Sequence, residues 1–462
     1  MSPFSNLEVV VLAAGLGTRM YSSRPKVLQP LAGRCLLEHV VATAKQLAPR
    51  AIHVVYGYGG DLVPATLKHL AVRWVLQAEQ KGTGHALQQA LPEIAADAVV
   101  LVLYGDVPLT RVETLRPLPA AAAEGGLALL TMELDDAGGY GRIVRGADGA
   151  VRQIVEHKDA TQAERAISEI NTGILAAPAN SLRKWLAALT NDNAQGEYYL
   201  TDIVAMAAAD GAKIKTAQPA AAWEIMGVNS KTQLAELERV LQRNQAQALM
   251  EQGVTFMDPA RFDLRGSLTV GADVVIDVNV VLEGTVRLGN QVHIGPNNVI
   301  RNTSIGDNVV IHPNCVIENA EIGEACRIGP FARIRPGARL CQGAHIGNFV
   351  EIKNAEIGQG SKINHLSYVG DSTVGKNVNI GAGVITCNYD GADKHRTVIG
   401  DDVFIGSDCQ LVAPVKIGAG STIGAGSTIT TDTPPGELTL SRVKQKTVAG
   451  WKRPVKKPKG LN

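Results

Sequence analysis

A spacing of six residues between aliphatic side chains is the strongest constraint on the fold of this chain, and it governs the second half. Glycine often follows the aliphatic residue, as in Ile305-Gly306 and Ile346-Gly347. Three six-residue units, each a short strand and a turn, make one triangular coil, in which the aliphatic side chain points inward and the glycine permits the corner. The sequence therefore predicts a parallel β-helix of hexapeptide repeats. The aliphatic positions, with occasional steps of five, are 276, 282, 288, 294, 300, 305, 311, 317, 322, 328, 334, 340, 346, 352, 357, 363, 369, 374, 380, 399, 405, 411, 417, 423 and 429.

The first half follows a different pattern, in which short apolar runs alternate with helical segments such as LLEHVVATAKQLA. This alternation favours right-handed strand–helix–strand crossovers and a mostly parallel sheet, so we expect an α/β domain. Ligands bind such sheets at the carboxyl ends of the strands. The predicted strands are Val9–Ala13, Ile52–Tyr56, Val72–Leu76 and Val99–Leu103.

A long helical pattern, SKTQLAELERVLQRNQAQALM, separates the two halves. We interpret residues 229–250 as a connector helix between an α/β domain, residues 1–228, and a β-helix with a tail, residues 251–462. The predicted apolar stripe of the connector consists of Leu234, Leu237, Leu241 and Ala248.

The six-residue repeat breaks once, between Ile385 and Ile399, where TCNYDGADKHRTV is not expected to stack as a coil. A loop that leaves a rigid scaffold is a common way to place functional groups. The tail WKRPVKKPKGLN carries five basic residues and no acidic one. A solvated end and a role against a neighbouring subunit or an anionic ligand both remain open for the tail.

Charge and composition limit the possible partners and the location of the protein. Lysine and arginine total 45 against 44 acidic residues, so the whole chain carries no footprint for nucleic acid or an anionic membrane. No stretch approaches the roughly 20 apolar residues of a membrane span, and the first apolar run lacks the basic leader of a signal peptide. None of the six cysteines forms a CxxC pair, so we expect reduced thiols that serve packing in a cytoplasmic protein.

A glycine-rich segment, LAAGLGTRMYSSRPKVL, follows the first predicted strand. Gly15 and Gly17 allow a close backbone approach to phosphates, and Arg19 and Lys26 offer cationic partners for them. The string is neither a P-loop nor a Rossmann fingerprint. It resembles the signature of sugar-phosphate nucleotidyltransferases, G-x-G-T-R-M followed by P-K-V-L.

Further strings extend this resemblance in order along nearly the whole chain: GTGHA, YGDVP, GGYGRIV, VEHKD, EINTGI and MGVNS. Together with the hexapeptide repeat they resemble the bacterial bifunctional N-acetylglucosamine-1-phosphate uridyltransferase / glucosamine-1-phosphate N-acetyltransferase family. The resemblance implies a Rossmann-like nucleotidyltransferase domain and a left-handed β-helix. The period alone does not determine the handedness.

For the first domain the resemblance implies Mg²⁺ at Asp106 and Asn229, with Mn²⁺ as an alternative. It implies transfer of a uridylyl group from UTP to N-acetylglucosamine 1-phosphate, with release of pyrophosphate. The implied nucleotide and UDP-sugar contacts are Leu12, Ala13, Ala14, Gly15, Lys26, Gln77, Gly82, Thr83, Tyr104, Gly105, Asp106, Gly141, Glu156, Asn171 and Asn229.

For the β-helix the resemblance implies acetyl transfer from acetyl-CoA to glucosamine 1-phosphate, with His365 as the general base. Histidine suits this role because it can accept a proton near neutral pH. We expect Glu351, which precedes His365 by slightly less than one coil, to lie near it and raise its basicity. The implied glucosamine-phosphate contacts are Arg335, Lys353, Tyr368 and Asn379. The implied acetyl-CoA contacts are Ala382, Asn388, Tyr389, Ser407, Ala425 and Arg442.

The resemblance therefore implies an enzyme that makes UDP-N-acetylglucosamine for peptidoglycan and lipopolysaccharide synthesis. It also implies a homotrimer, with small-molecule substrates and neither nucleic acid nor membrane as a partner. Two alternatives are weighed against it. A nucleotidyltransferase of GDP-mannose or ADP-glucose type would lack the string GTGHA, which the resemblance assigns to uracil binding, and the string HLSY that begins at His365. A regulatory scaffold with the same two folds would lose Asp106 and the R-x₆-K pair, Arg19 and Lys26.

Overall fold

The computed structural model describes residues 5–455, which form two compact units. The first unit ends at Gln245 and the second begins at Ala246. This division falls inside a single helix, Lys231–Glu251, which begins two residues after the predicted connector and ends one residue beyond it.

The first unit contains a nine-stranded sheet. The spatial order is β9-β5-β8-β4-β1-β2-β3, and the antiparallel pair β6–β7 extends from β8. The strands in chain order are β1 Leu7–Leu12, β2 Ala51–Tyr56, β3 Arg73–Leu76, β4 Val99–Tyr104, β5 Leu127–Glu133, β6 Arg142–Arg145, β7 Val151–Val155, β8 Glu169–Pro178 and β9 Ile214–Ala217.

The four strands predicted from apolar runs form one parallel block, β4-β1-β2-β3, so the predicted α/β domain is confirmed. The next strand in the order, β8, is antiparallel to β4. Apolar side chains of β1 and β4 point alternately to the two faces, and separate cores cover each face. The helices of this unit are Leu36–Lys45, Leu62–Thr66, Thr83–Ala90, Val112–Leu115, Pro117–Ala123, Gln162–Arg165, Ala179–Ala187 and Ile203–Ala209.

The helix Lys231–Glu251 departs from its predicted stripe at one position. Leu237 is fully buried in a small cluster with Met20 and Leu36, as the pattern predicts. Ala248 is exposed, so its assignment to the stripe is wrong. Ala246 and Leu249 are buried instead, because they pack into the core of the second unit.

The second unit is a β-helix of short parallel strands. Every predicted inward position from Ile276 to Ile429 is at most 4% exposed, which confirms the repeat as the core of this unit. One sheet comprises Thr255–Phe256, Val275–Ile276, His293–Ile294, Val310–Ile311, Arg327–Ile328, His345–Asn348, Lys362–His365, Asn379–Ile380, Phe404–Ile405, Thr422–Ile423 and Leu438–Thr439. The other comprises Phe262–Val270, Val280–Leu288, Val299–Arg301, Ser304–Ile305, Val316–Glu318, Glu321–Ile322, Arg333–Ile334, Arg339–Leu340, Glu351–Lys353, Glu356–Ile357, Tyr368–Gly370, Ser372–Val374, Ile385–Cys387, Thr397–Ile399, Gln410–Val412, Val415–Ile417 and Thr428–Ile429.

The glycines of the repeat have a different role from the one predicted. Gly347 and Gly358 do not adopt left-handed φ values, but a Cβ on either would collide with a backbone carbonyl of the next coil. Asparagine is the commonest non-glycine residue at the left-handed corners, for example Asn297 and Asn314, because its short polar side chain tolerates positive φ. The glycines therefore permit close stacking of coils rather than the turn itself.

The break in the repeat is shorter than the sequence suggests. Ile385–Cys387 and Thr397–Ile399 are strands that pair with neighbouring coils, so the excursion is confined to residues 388–396. Beyond the last coil, residues 451–455 of the basic tail are exposed, and its remaining residues, 456–462, lie outside the described part of the chain.

The six cysteines all lie within the described residues, and none of them is paired in a disulfide. Cys35, Cys315, Cys326 and Cys409 are buried, and the last three belong to the β-helix core. Over residues 5–455, no helix is long and apolar enough to cross a membrane.

The separate cores predict where the chain can be cut. A fragment of residues 1–245 should fold and retain the uridylyl transfer that the resemblance implies for the first domain, which the sequence assigned to residues 1–228. The shorter fragment should be less stable by about 2 kcal/mol, since it lacks the buried Leu237, and it also lacks Asn229. Thermal unfolding and pyrophosphate release compare the two fragments. Equal stability of both would contradict this account of the helix.

Candidate active sites

The first candidate site is a cavity of about 270 Å³ at the carboxyl ends of β1 and β4. The sequence strings converge here because β1 and β4 are neighbouring parallel strands, so the loops that follow them meet. Ten predicted residues line the cavity: Leu12, Ala13, Ala14, Gly15, Lys26, Gln77, Gly82, Thr83, Tyr104 and Asp106.

The ammonium group of Lys26 lies between two side-chain oxygens at one side of this cavity. Lys26 Nζ donates to Asp106 Oδ2 at 2.5 Å and to Asn229 Oδ1 at 2.9 Å. Gly17, at φ +60°, packs against the Cβ of Lys26 and leaves no room for a side chain there. The ammonium group thus marks a point where a carboxylate and an amide oxygen converge.

This donor set fits Mg²⁺. Magnesium is usually held by one or two carboxylates together with water and substrate phosphates, rather than by a full protein cage. Across residues 5–455 no group of three or more His, Cys, Asp or Glu side chains could hold a metal, so a thiolate or imidazole site is absent there. Asp106 and Asn229 would hold the ion, and Lys26 already places a positive charge between them.

Gln77, which the resemblance assigns to the nucleotide, lines another part of the cavity and is almost completely buried. Its Nε2 donates to the Gly82 carbonyl at 3.2 Å and lies 3.0 Å from His85 Nδ1. Gly82 has φ +103°, and a Cβ there would lie 2.7 Å from the Tyr198 carbonyl oxygen. The segment is therefore held closely against residue 198, whose carbonyl also accepts from Gly84 N–H at 2.9 Å.

The predicted sugar residues lie together but outside the lining of this cavity. The Gly141 carbonyl accepts from Asn171 N–H at 2.8 Å, and a Cβ on Gly141 would lie 3.5 Å from Glu156 Oε2. Burial raises the pKa of Glu156, while a hydrogen bond from Thr201 favours its ionised form. Glu156 also raises the pKa of the partly buried Tyr104, after desolvation, so it is close to a residue that does line the cavity.

Several residues of the cavity were not predicted. Gln80 lies in the same segment as Gln77, and its Nε2 donates to the Gln77 carbonyl, so that neighbourhood was an available signal. Glu197 comes from a loop with no recognisable motif, and no pattern in the chain pointed to it. Arg19, expected beside Lys26, is exposed and does not line the cavity. The unpredicted lining residues are Leu16, Val27, Gln80, Ala86 and Glu197.

The second candidate site is on the β-helix, where polar side chains of successive coils stack in register. Strand residues Arg333, Glu351 and Tyr368 are direct neighbours on adjacent coils. Arg335 Nη1 donates to Glu351 Oε1 at 2.7 Å. Lys353, from the same coil as Glu351, reaches within 3.7 Å of Asp371 Oδ2. The arrangement places two cations, Arg335 and Lys353, on one face.

His365 is held by Asn348 rather than by Glu351, so the expected pairing of Glu351 with His365 is wrong. His365 Nδ1 lies 2.7 Å from Asn348 Oδ1, the residue directly below it in register. Glu351 instead accepts from Arg335. The error came from treating a spacing short of one full coil as a contact, since the register pairs Glu351 with Tyr368. If Asn348 Oδ1 accepts from Nδ1–H, the lone pair of His365 belongs to Nε2.

The predicted acetyl-CoA residues form a column that begins at His365. Backbone hydrogen bonds connect successive coils at Gly383 N–H to the His365 carbonyl, Asp408 N–H to the Ala382 carbonyl and Gly426 N–H to the Ser407 carbonyl. The column therefore contains His365, Ala382, Ser407 and Ala425. Arg442 follows it, because Nη1 donates to the Ala425 carbonyl at 2.8 Å.

The other predicted contacts, Asn388, Tyr389 and Asn379, lie outside this column. Asn388 is buried, and its Nδ2 lies 3.3 Å from the Tyr368 hydroxyl. Tyr389 is 61% exposed at the start of the excursion. Asn379 lies beside Lys362 on the sheet that carries His365, rather than on the face of Arg335 and Lys353. The structure thus brings most of the predicted groups together, with Asn379 across the corner.

Comparisons with known proteins find a matching family model for each of the two units. The model of the MobA-like NTP transferase domain matches residues 9–256, and the bacterial transferase hexapeptide model matches residues 302–335, 319–354 and 396–431. "Bifunctional protein GlmU" of Thiobacillus denitrificans is 62% identical over 98% of this chain and 99% of its own length. The protein of that name from Nitrosospira multiformis is 60% identical over 99% of this chain and all of its own.

The chain belongs to the GlmU family. It is a bifunctional enzyme, an acetyltransferase and a uridyltransferase of UDP-N-acetylglucosamine synthesis. The GlmU protein of Aromatoleum aromaticum, 59% identical over 98% of this chain and its own full length, spans the same two units. Membership of the GlmU family excludes the two alternatives considered above, a nucleotidyltransferase of GDP-mannose or ADP-glucose type and a regulatory scaffold.

Proposed function

We propose that uridylyl transfer takes place in the cavity at β1 and β4, and that acetyl transfer takes place on the β-helix face beside His365. The observation that carries this assignment is the placement of charge. In the cavity, the Lys26 ammonium contacts Asp106 and Asn229, an arrangement that suits a triphosphate with its metal. The β-helix presents Arg335 and Lys353, which suit a sugar phosphate.

In uridylyl transfer the protein has to position charge rather than form bonds. Gln77 and Gly82 orient the uracil edge, and Gly15 presents open backbone to the phosphates, since nothing lies within 4 Å of its Cβ position. Lys26 neutralises charge at the α-phosphate, where the sugar phosphate oxygen attacks and pyrophosphate leaves. Bound Mg²⁺ would supply further charge neutralisation. Gly141, Glu156 and Asn171 hold the sugar.

Asp106→Asn should reduce uridylyl transfer by roughly 10²-fold or more while leaving acetyl transfer unchanged. The substitution keeps the shape but removes the anionic oxygen next to Lys26, so both the metal and the lysine lose their partner. Pyrophosphate release is measured over a Mg²⁺ titration. The exposed Asp97→Asn is the matched control. Activity near that of the control at limiting Mg²⁺ would disprove the role of Asp106.

In acetyl transfer the amine of glucosamine 1-phosphate attacks the thioester of acetyl-CoA and must lose a proton. His365 Nε2 accepts that proton, and Asn348 fixes the ring through Nδ1. Arg335 and Lys353 hold the sugar phosphate, with Tyr368 and Asn379 as further contacts. Acetyl-CoA extends from His365 along Ala382, Ser407 and Ala425 to Arg442, with Asn388 and Tyr389 at the acyl end.

His365→Ala should lower acetyl transfer by about 10²–10⁴-fold, the usual contribution of a positioned general base, and leave uridylyl transfer unchanged. The decline in rate toward acid pH that a histidine base produces should disappear with it. Thiol release from acetyl-CoA at saturating glucosamine 1-phosphate is the measurement. His293→Ala, on the same sheet and exposed, is the control. A rate within threefold of the control would mean that another group takes the proton.

A homotrimer is proposed for the assembly, and an apolar stripe beside His365 supports it. Phe331, Phe349 and Leu366 are between 49% and 64% exposed, and the two rings stack with centroids 5.1 Å apart. All three have positive φ, between +48° and +56°, at corners where Asn297 and Asn314 stand in earlier coils. Bulky side chains pay a conformational cost there, which a contact with a second copy of the chain would offset.

Phe349→Asn should weaken the trimer without destabilising the subunit, since asparagine suits this corner. Light scattering over a dilution series should give the 48.8 kDa monomer at concentrations where the wild type is still trimeric. Ala325→Asn, at an exposed corner with φ +58°, is the control. A trimer that persists in Phe349→Asn as in the control would show that the stripe is not the interface.

We also propose a cytoplasmic location. Four of the cysteines are buried as unpaired thiols, a state that the reducing cytoplasm maintains.

A further inference from the structure

A buried carboxylate, Asp371, lies at the base of the excursion and takes no part in the chemistry proposed above. It is 7% exposed and has φ +47°. The same corner position of preceding coils holds the uncharged residues Asn319, Gly337 and Asn354, each connected to the coil before it by a backbone hydrogen bond. A charge is costly to bury unless it is paired, so the change from amide to carboxylate at this coil requires a reason.

The carboxylate of Asp371 connects residues of both proposed substrate contacts. Its Oδ1 accepts from Asn354 Nδ2 at 2.6 Å, and its Oδ2 accepts from Asn388 Nδ2. Lys353 Nζ lies 3.7 Å from the same Oδ2. Burial opposes ionisation, but the hydrogen bonds from Asn354 and Asn388 and the charge of Lys353 hold the pKa of Asp371 below its usual value. The group is therefore anionic at neutral pH.

Asp371 also secures both ends of the excursion. Asn388 is its first residue, bound through the side chain. Thr397, the first residue after the excursion, donates its N–H to the Asp371 carbonyl at 3.3 Å. Inside the loop, His395 N–H donates to the Asn388 carbonyl at 2.9 Å. Asp371 thus contacts both ends of the excursion, and Arg396 adds contacts with Ser372 and Thr373 of the same coil.

We propose that Asp371 is a positioning residue for acetyl transfer, which holds Lys353 and Asn388 in a single arrangement and so aligns the sugar phosphate with the acyl donor. The inference rests on the proposed assignment of Lys353 to the phosphate and of Asn388 to acetyl-CoA. Only a carboxylate offers two acceptor oxygens to two amide donors and attracts an ammonium group as well. An asparagine, sufficient in the neighbouring coils, would meet neither requirement.

The test compares Asp371→Asn and Asp371→Gly with the same two changes at Asp402. Both aspartates have positive φ, so asparagine and glycine suit the backbone at either position. Asp402 is exposed and accepts from Asn377 Nδ2 at 3.2 Å, so it matches the local geometry without the substrate contacts. Calorimetric titrations of the full-length enzyme with glucosamine 1-phosphate and with CoA measure the two affinities separately.

Both Asp371 variants should bind each ligand about tenfold or more weakly than the Asp402 variants, since a charge-assisted hydrogen bond is lost on each side. Uridylyl transfer should stay at the wild-type rate. In a Lys353→Met background, Asp371→Asn should no longer weaken glucosamine 1-phosphate binding but should still weaken CoA binding, because each effect passes through a different residue. If Asp371 merely stabilised the fold, Lys353→Met would not remove its effect on glucosamine 1-phosphate binding while leaving its effect on CoA binding.

Three outcomes would overturn the proposal. The first is that the Asp371 variants bind both ligands within twofold of the Asp402 variants, and the second is that Asp371→Asn weakens both ligands by the same factor with and without Lys353→Met. The third is that circular dichroism shows an unfolded β-helix in both Asp371 variants but not in the Asp402 variants. The last would make Asp371 a structural residue. The proposed function fails separately, if wild-type enzyme does not acetylate glucosamine 1-phosphate or if Lys353→Met binds this ligand normally.

Discussion

The stacking of one coil on the next through backbone hydrogen bonds is the constraint on which the β-helix and its site depend. Each coil donates N–H groups to carbonyls of its neighbour, as from Glu351 to Ser367, so side chains exactly one coil apart form columns. Glycines such as Gly347 keep the spacing, because a Cβ there would strike the adjacent backbone. The site is therefore a set of aligned columns, and its geometry is inherited from the register of the coils.

The first unit places its charges by another route, the convergence of loops at the ends of parallel strands. Lys26 comes from the loop after β1, Asp106 from the end of β4, and Asn229 from a segment near the end of the unit. Lys26 thereby joins three separate segments of the chain through its contacts with Asp106 and Asn229. Gly105 contributes by packing against Ala13, which keeps the two strand ends close.

Every position that the sequence predicted to face inward in the repeat is buried, because a period of six reports directly which side chains face inward, but further core residues such as Val292 and Val309 were not predicted. It also located most of the cavity, since motif strings at strand ends have to converge in a parallel sheet. It failed where the outcome depends on the length of each coil. The Glu351–His365 pairing was wrong because only a full coil brings side chains together, and steps of five and six cannot be summed correctly without the register. Ala248 was wrong because helical spacing does not say which of two cores a helix end faces.

The corner positions explain why function was hard to read in this half. Positive φ makes asparagine or glycine the residue of least cost, as at Asn297, Asn319 and Gly337, so those positions carry no message beyond the turn. Phe349, with an exposed ring, and Asp371, with a buried charge, depart from that rule in opposite directions. Neither residue stabilises an isolated coil, since Phe349 exposes apolar surface and Asp371 buries an anion. A contact with a second subunit, as proposed above, would bury the ring, and the contacts with Lys353 and Asn388 offset the burial of the carboxylate.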